Sequence, residues 1–312
     1  MPEPSRTTEF RFTITSVEQG QRLDKFLAVA CSPGLSRSQL KQLILSGRVS
    51  VNNAVVKPHY LVANHDAILV HADVPAADPG LAAVFQPLDI LFEDEYLIAV
   101  NKPAGMVVHP AAGHRDDTLV NALLFHCRSL AVGSSPEKPG IVHRLDKDTS
   151  GVLLAAKDNH AFRQLSHQFR QRLVKKVYCA IVVGSVEFDE GVIDAPLGRS
   201  PLQRMQMRVM HDSPRHALTR YRTITRGEQL SVLEVMPHTG RTHQIRVHLA
   251  SIGYPVLGDA LYGRNKGGPV GLINRQALHA QRLTITHPYL KTLLSFEAPI
   301  PADMQRVIDM IA

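Results

Sequence analysis

The sequence predicts an α+β protein in two units, and three observations carry that expectation. Its 312 residues are about twice the usual domain length of roughly 150. Short apolar strand segments and helical segments follow one another irregularly, which fits mixed α and β better than a doubly wound sheet. A stretch over residues 73–88 carries three prolines and one glycine, little charge and no sustained period. The expected boundaries are a small α/β module over 17–78, a linker over 79–88 and a larger unit over 89–312.

In the module, Leu23, Phe26, Leu27 and Ala30 recur at helical spacing before Pro33-Gly34 breaks the chain. Ser36 is placed to cap a second helix with the apolar stripe Leu40, Leu43 and Ile44, and Gly47 stands where a left-handed C-terminal cap belongs. Val49 and Val51 then alternate with polar residues, Asn52-Asn53 offers a turn, and Val55-Val56 resumes an extended run. In the larger unit, strands are expected over 97–100, 152–156, 177–183 and 231–235. Asp158 is placed to cap a helix carrying Phe162, Leu165, Phe169 and Leu173 inward. Thr242 is placed to cap another, carrying Ile245, Leu249 and Ile252 to a stop at Gly253.

Composition narrows the function. No apolar run nears the roughly 18 residues of a membrane span, and the first residues lack an apolar signal core, so a soluble cytoplasmic protein is expected. Cys31, Cys127 and Cys179 are far apart and odd in number, which indicates neither a disulfide framework nor a thiolate zinc site. The formal net charge is +7. Residues 21–60 hold six basic groups (Arg22, Lys25, Arg37, Lys41, Arg48, Lys57) against Asp24 alone. Residues 199–226 hold seven arginines against Asp212 alone. Two arginine-biased windows in separate regions favour contact with phosphates, whose oxygens the guanidinium fork fits.

The common nucleotide, zinc-protease and hydrolase motifs are missing: there is no G-x-x-x-x-G-K-[ST], no strand-linked G-x-G-x-x-G, no H-E-x-x-H and no G-x-S-x-G. His238, His243 and His248 are spaced by five, which turns successive side chains about 140° apart on a helix and disfavours a shared metal. Three polar clusters in apolar surroundings remain. The first is His143 to Gly151 (HRLDKDTSG), a charged loop at the mouth of a strand, where a carboxylate is well placed for chemistry and equally at home as a solvated turn. The second is the strand around Tyr178, whose alternation sends Val177, Cys179 and Ile181 to one face and the tyrosine to the other. The third is Thr239 to His248 (TGRTHQIRVH), a turn feeding a helix whose polar face would bear His243 and Arg246.

With these stretches together the sequence resembles the RluA/RluD-type RNA pseudouridine synthases, and the RluD-like large-subunit ribosomal RNA enzymes most closely. The likeness also runs through Asn101-Lys102-Pro103-Ala104-Gly105, Val107-Val108-His109-Pro110, Arg275 to Ala280 and His287-Pro288, over about residues 89–302. The first basic window resembles the alpha-L RNA-binding module of ribosomal small-subunit protein S-four. The resemblance implies a mixed, mainly antiparallel sheet with flanking helices around a central cleft. It implies Asp146 as the catalytic aspartate, Tyr178 as the residue stacked on the target base and a candidate for proton transfer, and Arg246, or alternatively Arg241, as the salt-bridge partner of Asp146, with position 246 expected. Arg144 would enter the stack in place of the flipped uridine. His143, Arg241 and His243 in the cleft, and Arg22, Arg37, Lys41 and Arg48 in the module, would contact RNA.

The chemistry so implied breaks the bond from ribose to base nitrogen and remakes it at carbon, with no metal or cofactor expected. Asp146 would attack the sugar, stabilise a cationic sugar, or take a ribose proton toward a glycal; each route requires it ionised, which an arginine within about 4 to 6 Å favours. The expected partner is 23S ribosomal RNA, free or in a pre-50S particle, acted on by a monomer with no obligatory protein partner and no membrane. A tRNA-directed enzyme and a non-catalytic RNA-binding assembly factor are the alternatives.

Overall fold

A computed structural model describes residues 6–311 apart from 17, 32–36, 75–80, 112, 133–137, 201–205, 211–214, 264–268 and 270. Contacts divide the chain into two compact units, Met1–Gly80 and Leu81–Ala312.

The smaller unit runs β1 (Arg6–Thr13), α1 (Leu23–Ala30), α2 (Arg37–Leu45), β2 (Val49–Val51), β3 (Ala54–Val55) and β4 (Ala67–Val74), with strand order β1-β4-β2-β3. The helical stripes become a core in which Leu23, Leu27, Leu40 and Ile44 pack on Val49, Val51, Ile68 and Val70. Gly47 adopts φ 74°, and Asn52 and Asn53 take φ 51° and 65°, the conformation a tight hairpin needs. The helix break at Pro33-Gly34 and the cap at Ser36 lie outside the described residues. Strand β1 has no counterpart in the sequence expectations; it pairs antiparallel with β4 along its whole length.

The larger unit contains β5 (Ile90–Glu93), β6 (Leu97–Lys102), α3 (Leu119–His126), β7 (Ser150–Ala156), α4 (Asn159–Arg170), β8 (Lys175–Val183), β9 (Glu190–Asp194), β10 (Leu197–Arg199), β11 (Met207–Val209), β12 (Leu218–Arg226), β13 (Leu230–Pro237), α5 (Gln244–Ser251), β14 (Leu278–Thr286), β15 (Leu293–Glu297) and α6 (Ala302–Ile311). Its main sheet has the order β5-β6-β7-β14-β8-β13-β12-β9, with β15 also on β14. Among its described pairings only β7 with β14 is parallel, so the fold is the α+β class the sequence predicts, with the mainly antiparallel sheet the resemblance implies. Strand β7 is buried along all its length, as its unbroken apolar run requires. Residues Ala82 and Val84, inside the expected linker, are tied to α3: Asn121 Nδ2 donates to Ala82 O (2.8 Å) and Val84 N to Asn121 O (3.1 Å).

Asp158 caps α4 as expected, its carboxylate accepting the His160 and Ala161 amides at 2.6 and 3.0 Å. That helix ends at Arg170, however, and Leu173 lies beyond it in the open. The start of α5 also departs from expectation. The cap position is His243, in the left-handed conformation at φ 55°, and Thr242 stands outside. No polar face is exposed on its first two turns, because residues 244–249 are all buried. Both ring nitrogens of His248 serve the fold, pairing with Thr219 Oγ1 and Ala195 O at 2.9 Å each. No helix among the described residues is long and apolar enough to cross a membrane.

Candidate active site

The loop 143–149 sits where β7 enters the sheet, and it is fixed from several sides. Thr149 N donates to Asp146 O (3.1 Å), Gly105 N to Lys147 O (3.0 Å), and Gln276 Nε2 to Thr149 Oγ1 (2.7 Å). Beneath it the fully buried Lys102 donates to the carbonyls of Pro103, Met106 and Lys147 at 2.7, 2.9 and 2.9 Å. Burial pushes this amine down to about 7, against the pull of Asp148 and Asp146. Gly151 follows at φ 112°, and a Cβ there would lie 2.2 Å from Ala280 O on β14; only glycine lets the two strands approach this closely.

Asp146 projects from this loop into a cleft of about 520 Å³, a volume suited to a nucleoside. Its side chain is 19% exposed. Arg246, on α5, donates from Nη1 to Asp146 Oδ2 at 2.9 Å. The other edge of the guanidinium meets Asp259 in a two-pronged pair, Nε to Oδ2 at 2.7 Å and Nη2 to Oδ1 at 2.9 Å. Asp259 is completely buried and also accepts the Leu261 and Tyr262 amides. Burial opposes the charge on Arg246, but Asp259 and then Asp146 outweigh it and its pKa is raised. The result is a permanent cation locked in place by one carboxylate and offered to another. Of the two arginines the sequence offers, Arg246 makes the contact, while Arg241 donates from Nε to His216 O at 3.2 Å.

Tyr178, on β8, lines the same cleft, and burial together with the charge of Asp146 raises its pKa. The hydroxyl therefore keeps its proton at neutral pH. His243 lies 3.9 Å from Asp146 through Nε2 and pairs through Nδ1 with the hydroxyl of Tyr262 at 2.8 Å; burial lowers its pKa although Asp146 pulls upward. His143 also lines the cleft, yet its Nε2 accepts the Leu154 amide (2.9 Å) and its ring stacks on Phe169 with centroids 4.6 Å apart. Burial, then Lys176, pushes it down to about 3, so it is a neutral group serving the fold. Arg144 is exposed at the cleft rim.

The remaining expected contacts belong to the smaller unit. Arg22 is paired with Asp24 at 2.9 Å, Lys41 and Arg48 are exposed, and the side chain of Arg37 lies outside the described residues. Asp259 and Tyr262 are absent from the sequence expectations, and Lys102 enters them only inside a stretch that carries the likeness, without a role. Asp259 has a signal of its own, an acid inside an apolar run (Val256-Leu257-Gly258-Asp259-Ala260-Leu261), and Lys102 ends an apolar strand.

The cleft thus brings together a tyrosine, a fixed carboxylate and the arginine that anchors it, on a mixed, mainly antiparallel sheet. The chain belongs to the RNA pseudouridylate synthase family, whose model matches residues 96–251, and an S4 domain matches residues 21–68. A protein of Zymomonas mobilis named ribosomal large subunit pseudouridine synthase D is 45% identical over 309 residues, covering 96% of each chain. An uncharacterized RNA pseudouridine synthase of Bacillus subtilis, YlyB, is 42% identical over 297 residues, 95% of this chain and 96% of its own. Among solved structures, human RNA Pseudouridylate Synthase Domain Containing 4 superposes with a TM-score of 0.56 at 28% identity, over 71% of this chain and 92% of that one.

Proposed function

We propose that this enzyme isomerises specific uridines of large-subunit (23S) ribosomal RNA to pseudouridine, with Asp146 as the catalytic carboxylate. The observation that carries this is the Asp146–Arg246 contact inside a cleft whose wall bears Tyr178. The ribose N1 bond breaks, the freed uracil turns within the cleft, C5 bonds to C1′, and a proton leaves C5 while N1 gains one, so that atoms balance without a redox partner. Asp146 faces the sugar as nucleophile, as counter-charge or as base at C2′. Arg246 holds the carboxylate in place and keeps a positive charge beside it. Tyr178 supplies the face on which the base rests, an interaction worth about 1 to 3 kcal/mol. Arg144, exposed at the rim, fills the gap left in the stack. Exposed Lys41 and Arg48 of the S4 domain bind phosphates elsewhere on the RNA. The ribosomal substrate is supported by the name of the Zymomonas mobilis relative and by its full-length match. The enzyme would work as a cytoplasmic monomer.

The test is to map pseudouridine in 23S rRNA and tRNA from cells with and without the protein, beside purified wild type and Asp146→Asn. Loss of specific 23S pseudouridines, and no product from Asp146→Asn, is expected. A near-normal rate from Asp146→Asn would overturn the catalytic role, and loss confined to tRNA would overturn the substrate.

A further inference from the structure

We propose that one end of the cleft is a phosphodiester subsite, formed by Lys176, Arg172 and His238, which grips a single phosphate flanking the everted uridine. It rests on the assignment of Tyr178 to the base. Lys176 and Tyr178 are two apart on β8, so they point to the same face about 6.6 Å from each other, and both line the cleft. Arg172 is set just past α4 in the left-handed conformation at φ 61°, in a turn closed by Arg172 N to Phe169 O (3.3 Å) and Leu173 N to Gln168 O (2.9 Å). His238 follows β13, its amide held by Leu218 O at 2.9 Å. Three basic side chains thus converge from three separately anchored pieces of backbone.

What sets them apart from Arg246 is neutralisation. Arg246 is saturated by two carboxylates, whereas no ion pair among the described residues joins Lys176, Arg172 or His238 to an acid. The ammonium of Lys176 donates to a carbonyl, Thr239 O, at 3.2 Å. Burial and then the charge of Arg172 push Lys176 down to about 8; burial and then Arg172, Lys176, Arg220 and His216 lower His238. No acid appears among these influences. Lys176 is half-buried while Arg172 and His238 are exposed at the cleft; the repulsion among these basic groups is unfavourable in the free protein and is relieved when an anion sits between them. In a cleft that takes an RNA nucleotide, the anion on offer next to the base is a backbone phosphate.

The experiment uses an RNA oligonucleotide containing a uridine that the wild-type protein isomerises, and two versions with an uncharged methylphosphonate on its 5′ or 3′ side. Dissociation constants are measured for the full chain carrying Asp146→Asn, alone and with Lys176→Met or Arg172→Met, so that affinity is read without turnover. Each second substitution is expected to weaken binding of the natural RNA about tenfold and to reduce the salt slope by about 0.7. On one of the two methylphosphonate RNAs the penalty vanishes, which identifies the phosphate. Equal penalties on all three RNAs overturn the subsite. Lys176→Arg, which keeps the charge, should bind the natural RNA within about threefold of its parent; a loss as large as that of Lys176→Met points to packing and also overturns it. Failure of the catalytic assignment would appear separately, as turnover by Asp146→Asn.

Discussion

Arg246→Met tests the central electrostatic arrangement, because one residue is joined to both a buried and a cleft-facing carboxylate. The substitution removes three charge-assisted hydrogen bonds and leaves Asp259, whose side chain is 0% exposed, with only the Leu261 and Tyr262 amides among the described residues. Stranding a buried charge costs about 3 to 5 kcal/mol. For a unit of this size that lowers the melting temperature by roughly 6 to 20 °C. Asp146 loses its cation as well, and removing a preorganised charge partner from a reacting group slows turnover by about 10²- to 10³-fold. The two losses separate in the double variant Arg246→Met/Asp259→Asn. Its neutral amide keeps the two backbone contacts and no longer buries a charge, so at least half of the lost stability returns while turnover stays low. The assays are urea or thermal unfolding of the larger unit and single-turnover pseudouridine formation on saturating RNA. Near-normal turnover in Arg246→Met, or recovery of turnover together with stability in the double variant, would refute the reasoning.

Three further outcomes follow from the geometry. Because the Tyr178 hydroxyl keeps its proton, Tyr178→Phe should bind RNA within about twofold of wild type, whereas Tyr178→Ala loses the stacking face and binds about 5- to 150-fold more weakly; equal affinity for Phe and Ala in a filter-binding assay would contradict a base resting on this ring. Lys102 is held down to about 7 when folded and returns to about 10.4 when unfolded, so between those values the unfolded chain binds the extra proton. Stability of wild type relative to Lys102→Met should therefore rise with pH across that window, by up to about 1.4 kcal/mol per unit, and a flat difference in urea titrations would rule this out. Gly151→Ala places a Cβ against the Ala280 backbone, where no side chain can move aside; unfolding of the larger unit should show a loss of about 2 to 4 kcal/mol, and a neutral result would mean that β7 and β14 are not so close.

Local pattern determined much of this protein. The apolar run of β7, the strand β8, the Asp158 cap, the Asn52-Asn53 turn and the left-handed Gly47 are decided by neighbours a few residues apart, and they were legible in the chain alone. Asp146 and Tyr178 stood out in the chain only as members of polar clusters, and it was the family resemblance that implied roles for them. The tertiary structure decided which groups meet. Whether Arg241 or Arg246 reaches Asp146 depends on the hand and depth of α5: its left-handed entry at His243 turns Arg246 inward and leaves Arg241 on His216. Asp259 fixes Arg246 from the segment beyond α5, and Lys102 fixes the Asp146 loop from β6, at separations no spacing rule spans. Hydrogen bonds and like-charge repulsion act over a few ångströms of space, whatever the distance along the chain. The sequence could therefore supply the candidate groups, and only the packed sheet could say how they are held and which cations, among the described residues, form no ion pair.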